Sequence, residues 1–135
     1  MKISITDLEL KNQVTKIELF RREKLILLEV KNIIRCKSDN SYTEFLFLDD
    51  SYRKKSYSRI LVSKGFYHFE DILMSAGTFY RKHNQHIINV NFLAKIIKIN
   101  SGYIVMDDNT NELVPIARSR KKEFLNFLKQ AGLLT

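Results

Sequence analysis

Short apolar segments separated by polar turns occupy most of this chain. Residues 16–20 alternate apolar and polar side chains, and residues 25–30 continue after a charged turn, a period-two pattern typical of half-buried strands. Further strand candidates are residues 32–36, 42–48, 52–60, 94–99, 103–106 and 112–117. Concentrated turn signals at residues 38–41 and 107–111 separate several of them. The sequence therefore predicts a mainly β domain built from many short strands.

Two stretches depart from this pattern with apolar spacings of three and four, which indicate helices at the margins of the fold. The first is expected to begin at Ser63 as N-cap and to end at Gly77. The second is expected to begin at Ser119 as N-cap and to close the chain. Their predicted apolar faces are Phe66, Phe69, Ile72, Leu73 and Ala76 in the first, and Phe124, Phe127, Leu128 and Ala131 in the second.

The length of 135 residues fits a single domain with a substantial core. Residues 1–14 are mixed and polar, so we expect a linker or lead-in there and one domain over residues 15–135. Cys36 lies in an apolar run and is expected to be buried, and a lone cysteine excludes an internal disulfide. No signal peptide is recognisable and no apolar run approaches the ~20 residues of a membrane span. We therefore expect a cytoplasmic protein.

The formal net charge of +8 and the pI near 9.6 are the unusual part of the composition. Such an excess of cations favours a polyanionic partner, with nucleic acid first and an anionic membrane surface second. The charge accounts for attraction, whereas specificity has to come from particular side chains.

Catalytic and metal-binding patterns have little support in this sequence. His83 and His86 are three residues apart, but no third ligand follows at zinc-site spacing. The acidic pairs at 49–50 and 107–108 fall in turns, where Asp is favoured for backbone reasons. A phosphate-binding glycine loop and a nucleophile elbow are also missing from the sequence. We expect no enzyme, no cofactor and no metal.

Three polar segments at element boundaries carry the functional signal. We call residues 37–42 the first contact segment, residues 81–85 the second and residues 118–122 the third. Cations at the start of a helix oppose its macrodipole by a few tenths of a kcal/mol each, so those of the third segment suggest a partner outside the protein. The amides of Asn84 and Gln85 can donate and accept at base edges, and Arg118 can fork onto guanine. The second and third segments together predict contact with nucleic acid.

The order of these motifs resembles the LytTR-type DNA-binding domain, the output domain of many bacterial two-component response regulators. The resemblance covers about residues 16–130, with residues 58–73 in the place of the family's first helix. Its motifs are Asp39-Asn40-Ser41-Tyr42-Thr43, then Phe79, Arg81, His83, Asn84, Ile87 and Asn89, and finally the run from Val114 to Lys122. The chain departs from the family pattern at Asn40, Gln85 and Ala117, where Gly, Ser and Ser are usual.

The resemblance implies an elongated β-sandwich of small antiparallel sheets with two marginal helices. It also implies that loops bind double-stranded DNA, with the Tyr42 and Arg118 positions at successive major grooves and the Asn84 position at the minor groove between them. For Tyr42, a phosphate bond or stacking within the protein is as compatible with the side chain as base reading. The expected DNA-binding residues are Tyr42, Arg81, Lys82, His83, Asn84, Gln85, Arg118, Arg120, Lys121 and Lys122.

The same resemblance implies a role in transcription regulation, a receiver domain in a full-length regulator and a homodimer on paired sites. The competing interpretation from the residues alone is a basic β-domain that binds RNA or a protein partner. Asn89 is expected to bond loop backbone inside the protein, and Pro115 is expected at an edge or bulge of the last strand.

Overall fold

The chain folds into ten strands and two α-helices within the residues that the computed structural model describes. These are residues 15–39, 41–49, 56–83, 85–97, 102–116 and 118–134, with only the backbone described for residues 82, 83 and 118. The elements are β1 (Lys16–Arg21), β2 (Lys24–Glu29), β3 (Ile33–Asp39), β4 (Tyr42–Asp49), β5 (Ser56–Val62), α1 (Glu70–Ser75), β6 (Phe79–His83), β7 (His86–Asn89), β8 (Leu93–Ile97), β9 (Tyr103–Met106), β10 (Leu113–Pro115) and α2 (Lys121–Gln130). Short 3-10 turns lie at Val30–Asn32, Phe66–His68, Val90–Phe92 and Arg118–Arg120.

Three antiparallel sheets form this fold. The central sheet has the strand order β5-β4-β3-β7-β6, while β1 and β2 form a hairpin and β10-β9-β8 form a three-stranded sheet. The predicted fold class, small antiparallel sheets with two marginal helices, is confirmed. None of the helices in the described part of the chain is long and apolar enough to cross a membrane.

The central sheet buries side chains on both of its faces, because successive strand residues point to opposite sides. Ile33 and Ile87 enter one apolar core, shared with the β1–β2 hairpin and α1, whereas Ile34 and Ile88 enter a second core, shared with β8–β10 and α2. This two-sided burial explains why the central strands read as continuous apolar runs. The expectation that residues 42–48 would be covered on both sides is confirmed by Phe45 and Leu46, which are both buried.

The predicted helix starts are wrong. Ser63 lies in a bend after β5, and helical backbone begins with the 3-10 turn at Phe66, so residues 58–62 are strand rather than helix. The N-caps of α1 and α2 are Phe69 and Arg120, and neither makes a side-chain capping bond. Ser119 belongs to the 3-10 turn that precedes α2. Before α1, the buried Phe66 lies in the 3-10 turn that sets the start of helical backbone, and its burial outweighs a cap worth about 1 kcal/mol.

Several predicted boundaries also move. The candidate strand 52–60 continues to Val62 in β5. The parts of the predictions that fall on residues 1–14, 40, 50–55, 84, 98–101, 117 and 135 lie outside the described residues. Residues 81–83 of the second contact segment were expected in a loop but belong to β6, where Arg81 pairs with Ile87.

Cys36 is fully buried as expected, and this burial raises the pKa of its thiol well above the ordinary value.

A buried ion cluster joins the central sheet to the three-stranded sheet. Arg35 on β3 is fully buried; its Nε donates to Asp108 Oδ2 at 2.6 Å and its Nη2 to Glu112 Oε2 at 2.5 Å. Lys37 Nζ adds a bond of 3.2 Å to Glu112 Oε1. Burial alone would lower the pKa of Arg35, but the bonds to both carboxylates raise it, so the guanidinium stays charged. Sequence analysis assigned the aspartates of this turn to backbone roles alone and did not foresee the cluster.

Candidate nucleic-acid interface

The first and second contact segments lie side by side at one end of the central sheet. The β3–β4 turn follows Asp39, which pairs with Tyr42, and the antiparallel pairing of Lys37 with His86 brings the start of β7 to the same end. A backbone hydrogen bond from the Ser38 amide to the Gln85 carbonyl, 2.8 Å long, links the two turns directly. Residues more than forty positions apart in the sequence are thus adjacent through the ladder of the sheet.

The third contact segment joins this end through β6 and α2. Arg120 Nη1 donates to the backbone carbonyl of Arg81 at 3.3 Å, linking the third segment to the second. The ring of Tyr80 lies 5.2 Å from that of Phe124 and 5.0 Å from that of Phe127, so the helix rests on β6. Burial, followed by a hydrogen bond to the Glu123 carboxylate, raises the pKa of Tyr80 to about 12. The three segments therefore form one continuous region of the surface.

Most predicted contact residues with described side chains are accessible in this region. Tyr42 is 43% exposed. The exposed side chains include Gln85, Arg120 and Lys122, while Arg81 and Lys121 are partly buried. The backbone places Lys82 and His83 at the end of β6 and Arg118 at the start of the 3-10 turn, and Asn84 lies outside the described residues.

Arg81, in the second contact segment, is engaged within the protein. Its Nη1 forms an ion pair with Glu70 on α1, and its guanidinium lies 5.8 Å from the centre of the Phe66 ring. These contacts tie the second segment to the first helical region. Sequence analysis missed Glu70 as the partner of Arg81, because the two residues are on different elements and no local spacing connects them.

The start of α2 has the charge arrangement that the sequence predicted. Lys121 and Lys122 occupy its first turn together with Glu123, and Arg120 at the N-cap position makes no capping bond. The helix therefore keeps cations at the end where its dipole disfavours them. The Arg120 side chain donates to the Arg81 carbonyl, and this bond keeps it at the surface shared by the second and third contact segments.

Two residues of the motifs are structural, as expected. Asn89 is buried; its Nδ2 donates to the Ile33 carbonyl at 2.9 Å and its Oδ1 accepts from the Asn91 amide at 3.1 Å. Pro115 lies on β10, an edge strand of the three-stranded sheet, where a missing N–H donor is tolerated. Both residues are the last residues of strands, Asn89 of β7 and Pro115 of β10.

Comparison with known proteins gives the same assignment over most of the chain. The family of LytTr DNA-binding domains matches residues 23–129. The heme-containing CO-sensing transcriptional regulators RcoM 1 and RcoM 2 of Paraburkholderia xenovorans (strain LB400) are 27% and 25% identical over 114 residues, 84% of this chain. The chain spans 39% of the length of each of these relatives.

A solved structure resembles this fold. The LytTr DNA-binding domain of a putative methyl-accepting/DNA response regulator from Bacillus cereus matches with a TM-score of 0.62 over 85% of this chain and 97% of that one. At 17% sequence identity, this likeness concerns the fold alone. With the family match over residues 23–129, the motifs and the three-sheet architecture have one explanation: the chain belongs to the LytTR family of DNA-binding domains.

Proposed function

We propose that this domain binds double-stranded DNA sequence-specifically through its three contact segments. Arg118 and Asn84 supply most of the discrimination between bases, since a guanidinium can fork onto guanine and a side-chain amide can read base edges. Tyr42 contributes from the first segment. The remaining contacts are to the DNA backbone and supply most of the affinity, through Arg81, Lys82, His83, Gln85, Arg120, Lys121 and Lys122.

The observation that carries this proposal is the convergence of the three segments. They are separated by more than thirty residues from one to the next, yet the Ser38–Gln85 and Arg120–Arg81 hydrogen bonds connect them. A protein that followed a duplex across successive grooves would need separate contact points held in fixed register by a rigid scaffold. The five-stranded sheet supplies that scaffold, and the net charge of +8 supplies attraction to phosphates.

In the cell, we propose that the domain is the DNA-binding part of a bacterial transcriptional regulator and works in the cytoplasm. The names of the relatives support this assignment, since they are transcriptional regulators and a DNA response regulator. A receiver domain in the full-length protein and a homodimer on paired sites belong to the same proposal.

Selection of bound sequences from a random duplex pool tests the proposed function. We expect a defined motif, and we expect the selected duplex to bind at least 1,000-fold more tightly than a scrambled duplex of equal length, the lower end of the range for specific recognition. Single-stranded RNA of matching composition serves as the competitor in the same titration.

The competing functions give different results in that titration. Equal competition by single-stranded RNA would favour an RNA-binding domain. Failure to enrich any motif, with weak binding to all nucleic acids, would favour a protein partner for the basic surface. Either result would overturn sequence-specific duplex binding.

A further inference from the structure

A fourth segment, residues 63–68, lies at the same end of the central sheet. The sequence motifs do not include it. Strand β5 is antiparallel to β4, and Val62 at its end pairs with Thr43, next to the first contact segment. Thr43 Oγ1 donates to the Lys64 carbonyl at 2.6 Å, which fixes the chain after β5 against that segment. The β4–β5 pairing and this hydrogen bond therefore bring Lys64 beside the turns proposed to contact DNA.

A cleft of about 450 Å³ opens between this segment and the first two contact segments. Its wall combines hydroxyl, ammonium, imidazole and guanidinium groups with one exposed phenol. The residues that supply these groups are Ser38, Ser41, Lys64, Tyr67, His68 and Arg81. The described lining residues include no carboxylate, although Arg81 is paired with Glu70 beside the cleft, and the other donors are suited to an anion. A DNA phosphate is the anion that the neighbouring segments would bring to it.

Lys64 has the charge to hold that phosphate. Its side chain is exposed, and its Nζ lies 5.9 Å from the centre of the Phe20 ring, which supports the side chain. Glu18 lines a neighbouring cleft with Lys64, yet within the described ranges no carboxylate oxygen lies within ion-pair distance of Lys64 Nζ. The ammonium is thus available to a partner outside the protein.

Tyr67 lines the same cleft with an exposed ring that contacts two neighbours in its own turn. It is 76% exposed, and its ring centre lies 4.2 Å from that of His68, with the two planes tilted by 31°. Gly65 lies in the same turn, and a Cβ atom placed on it would lie 3.4 Å from the Tyr67 ring. The ring therefore also lies close over the Gly65 backbone. A phenol held in this way can present its hydroxyl to a phosphate with little loss of conformational entropy.

We propose that Lys64 and Tyr67 form a fourth DNA contact, in which the Lys64 ammonium and the Tyr67 hydroxyl bind the phosphate backbone. This contact rests on the proposed function and extends it beyond the three motif segments. It adds affinity rather than base discrimination, because phosphate oxygens are the same at every base pair.

The test compares Lys64→Gln with Lys31→Gln in salt-dependent titrations against the selected duplex and a scrambled duplex. Lys31 is a matched control, since it is exposed and lies in the turn before β3, at the opposite end of that strand. We expect Lys64→Gln to make the negative slope of log K against log salt shallower by about 0.9 on both duplexes. If binding at 1 M salt is unchanged, this is about eightfold weaker binding at 0.1 M salt. Lys31→Gln is expected to keep the wild-type slope.

Tyr67→Phe tests the second half of the contact, because it keeps the ring and removes the hydroxyl. We expect roughly ten- to 150-fold weaker binding to both duplexes, from the loss of one hydrogen bond to a charged group, with the salt slope unchanged. Unchanged thermal unfolding midpoints would show that each variant is folded.

The outcomes separate the two proposals. If wild-type protein binds the selected duplex and Lys64→Gln has the same slope as Lys31→Gln, the fourth contact is wrong while the three-segment interface stands. Wild-type affinity for Tyr67→Phe would likewise remove the phenol from the contact. Failure of the wild-type protein to bind any duplex would overturn both proposals.

Discussion

The backbone amide of Ser38 donates a hydrogen bond to the carbonyl oxygen of Gln85 across 2.8 Å. This bond extends the pairing of β3 with β7 into the turns, so the first and second contact segments have a fixed separation. Because main-chain atoms make the bond, substitution of the contact side chains leaves this spacing intact. Effects of such substitutions on DNA binding can therefore be assigned to lost contacts rather than to displaced turns.

Arg118→Ala tests direct base reading by the third segment. We expect a loss of roughly 1–3 kcal/mol on the selected duplex and a relaxed preference at one base step, because a guanidinium forked onto guanine is removed. Fluorescence anisotropy against duplexes with single-base changes measures both effects. Equal weakening on selected and scrambled duplexes would show that Arg118 contacts only phosphate.

Lys121→Ala tests backbone contact at the start of α2. We expect weaker binding to all duplex sequences alike, because one phosphate contact is lost. The negative slope of log K against log salt should become shallower by about one unit. Lys129→Ala is the control on the same helix, since Lys129 is exposed in the last turn. A wild-type slope for Lys121→Ala would place Lys121 outside the interface.

Glu70→Gln tests whether the guanidinium of Arg81, which is paired with Glu70, contacts DNA. We expect tighter binding to every duplex at low salt, because a carboxylate next to Arg81 is removed, and about 0.5–1 kcal/mol less stability from the lost, partly exposed pair. Glu29→Gln, which breaks the Glu29–Lys31 pair in the β2–β3 connection, is the matched control. Unchanged affinity for Glu70→Gln would mean that Arg81 only braces the β6–β7 hairpin.

Arg35→Met tests the buried ion cluster. We expect a loss of about 3–5 kcal/mol in the free energy of unfolding, because Asp108 is almost fully buried and would lose the guanidinium that pairs with it. Urea denaturation measures the loss, with Arg59→Met on the exposed side of β5 as control. A loss no larger than that of the control would show that the two sheets are held together by apolar packing alone.

Glu112→Gln tests the pH dependence of the same cluster. Burial alone would raise the pKa of Glu112, but its bonds to Arg35 and Lys37 lower it below the ordinary 4.5. A carboxyl group with a lowered folded-state pKa stabilises the fold above its unfolded-state pKa, and this contribution is lost as pH falls through the folded-state pKa.

We therefore expect the glutamine variant to be less stable than the wild type near neutral pH and to lose less stability as the pH falls below about 5. Urea denaturation at a series of pH values measures the two curves. Parallel curves over this range would contradict a stabilising role for the Glu112 carboxylate.

The sequence by itself determined the class of the fold and the positions of the contact segments. Period-two alternation at Ile17 and Leu19 marked β1, and the turn chemistry of residues 38–41 marked the β3–β4 hairpin, because both signals are local. The burial of Cys36 and the internal bonding of Asn89 also followed from local pattern and side-chain chemistry. The choice of contact residues remains a prediction for the binding experiments above.

Tertiary structure decided what depends on neighbours distant in sequence. The Ser63 and Ser119 caps were wrong, because packing of Phe66 and the 3-10 turn before α2 set the helix starts. Pairing of β3 with β7 and of β4 with β5 brought the first two contact segments and Lys64 to one end of the sheet, and packing of α2 on β6 brought the third. The ion pair of Arg35 with Asp108 spans 73 positions in the chain. Non-local pairing leaves no periodic signal in the sequence, so only the folded chain reveals the shared surface and the cluster beneath it.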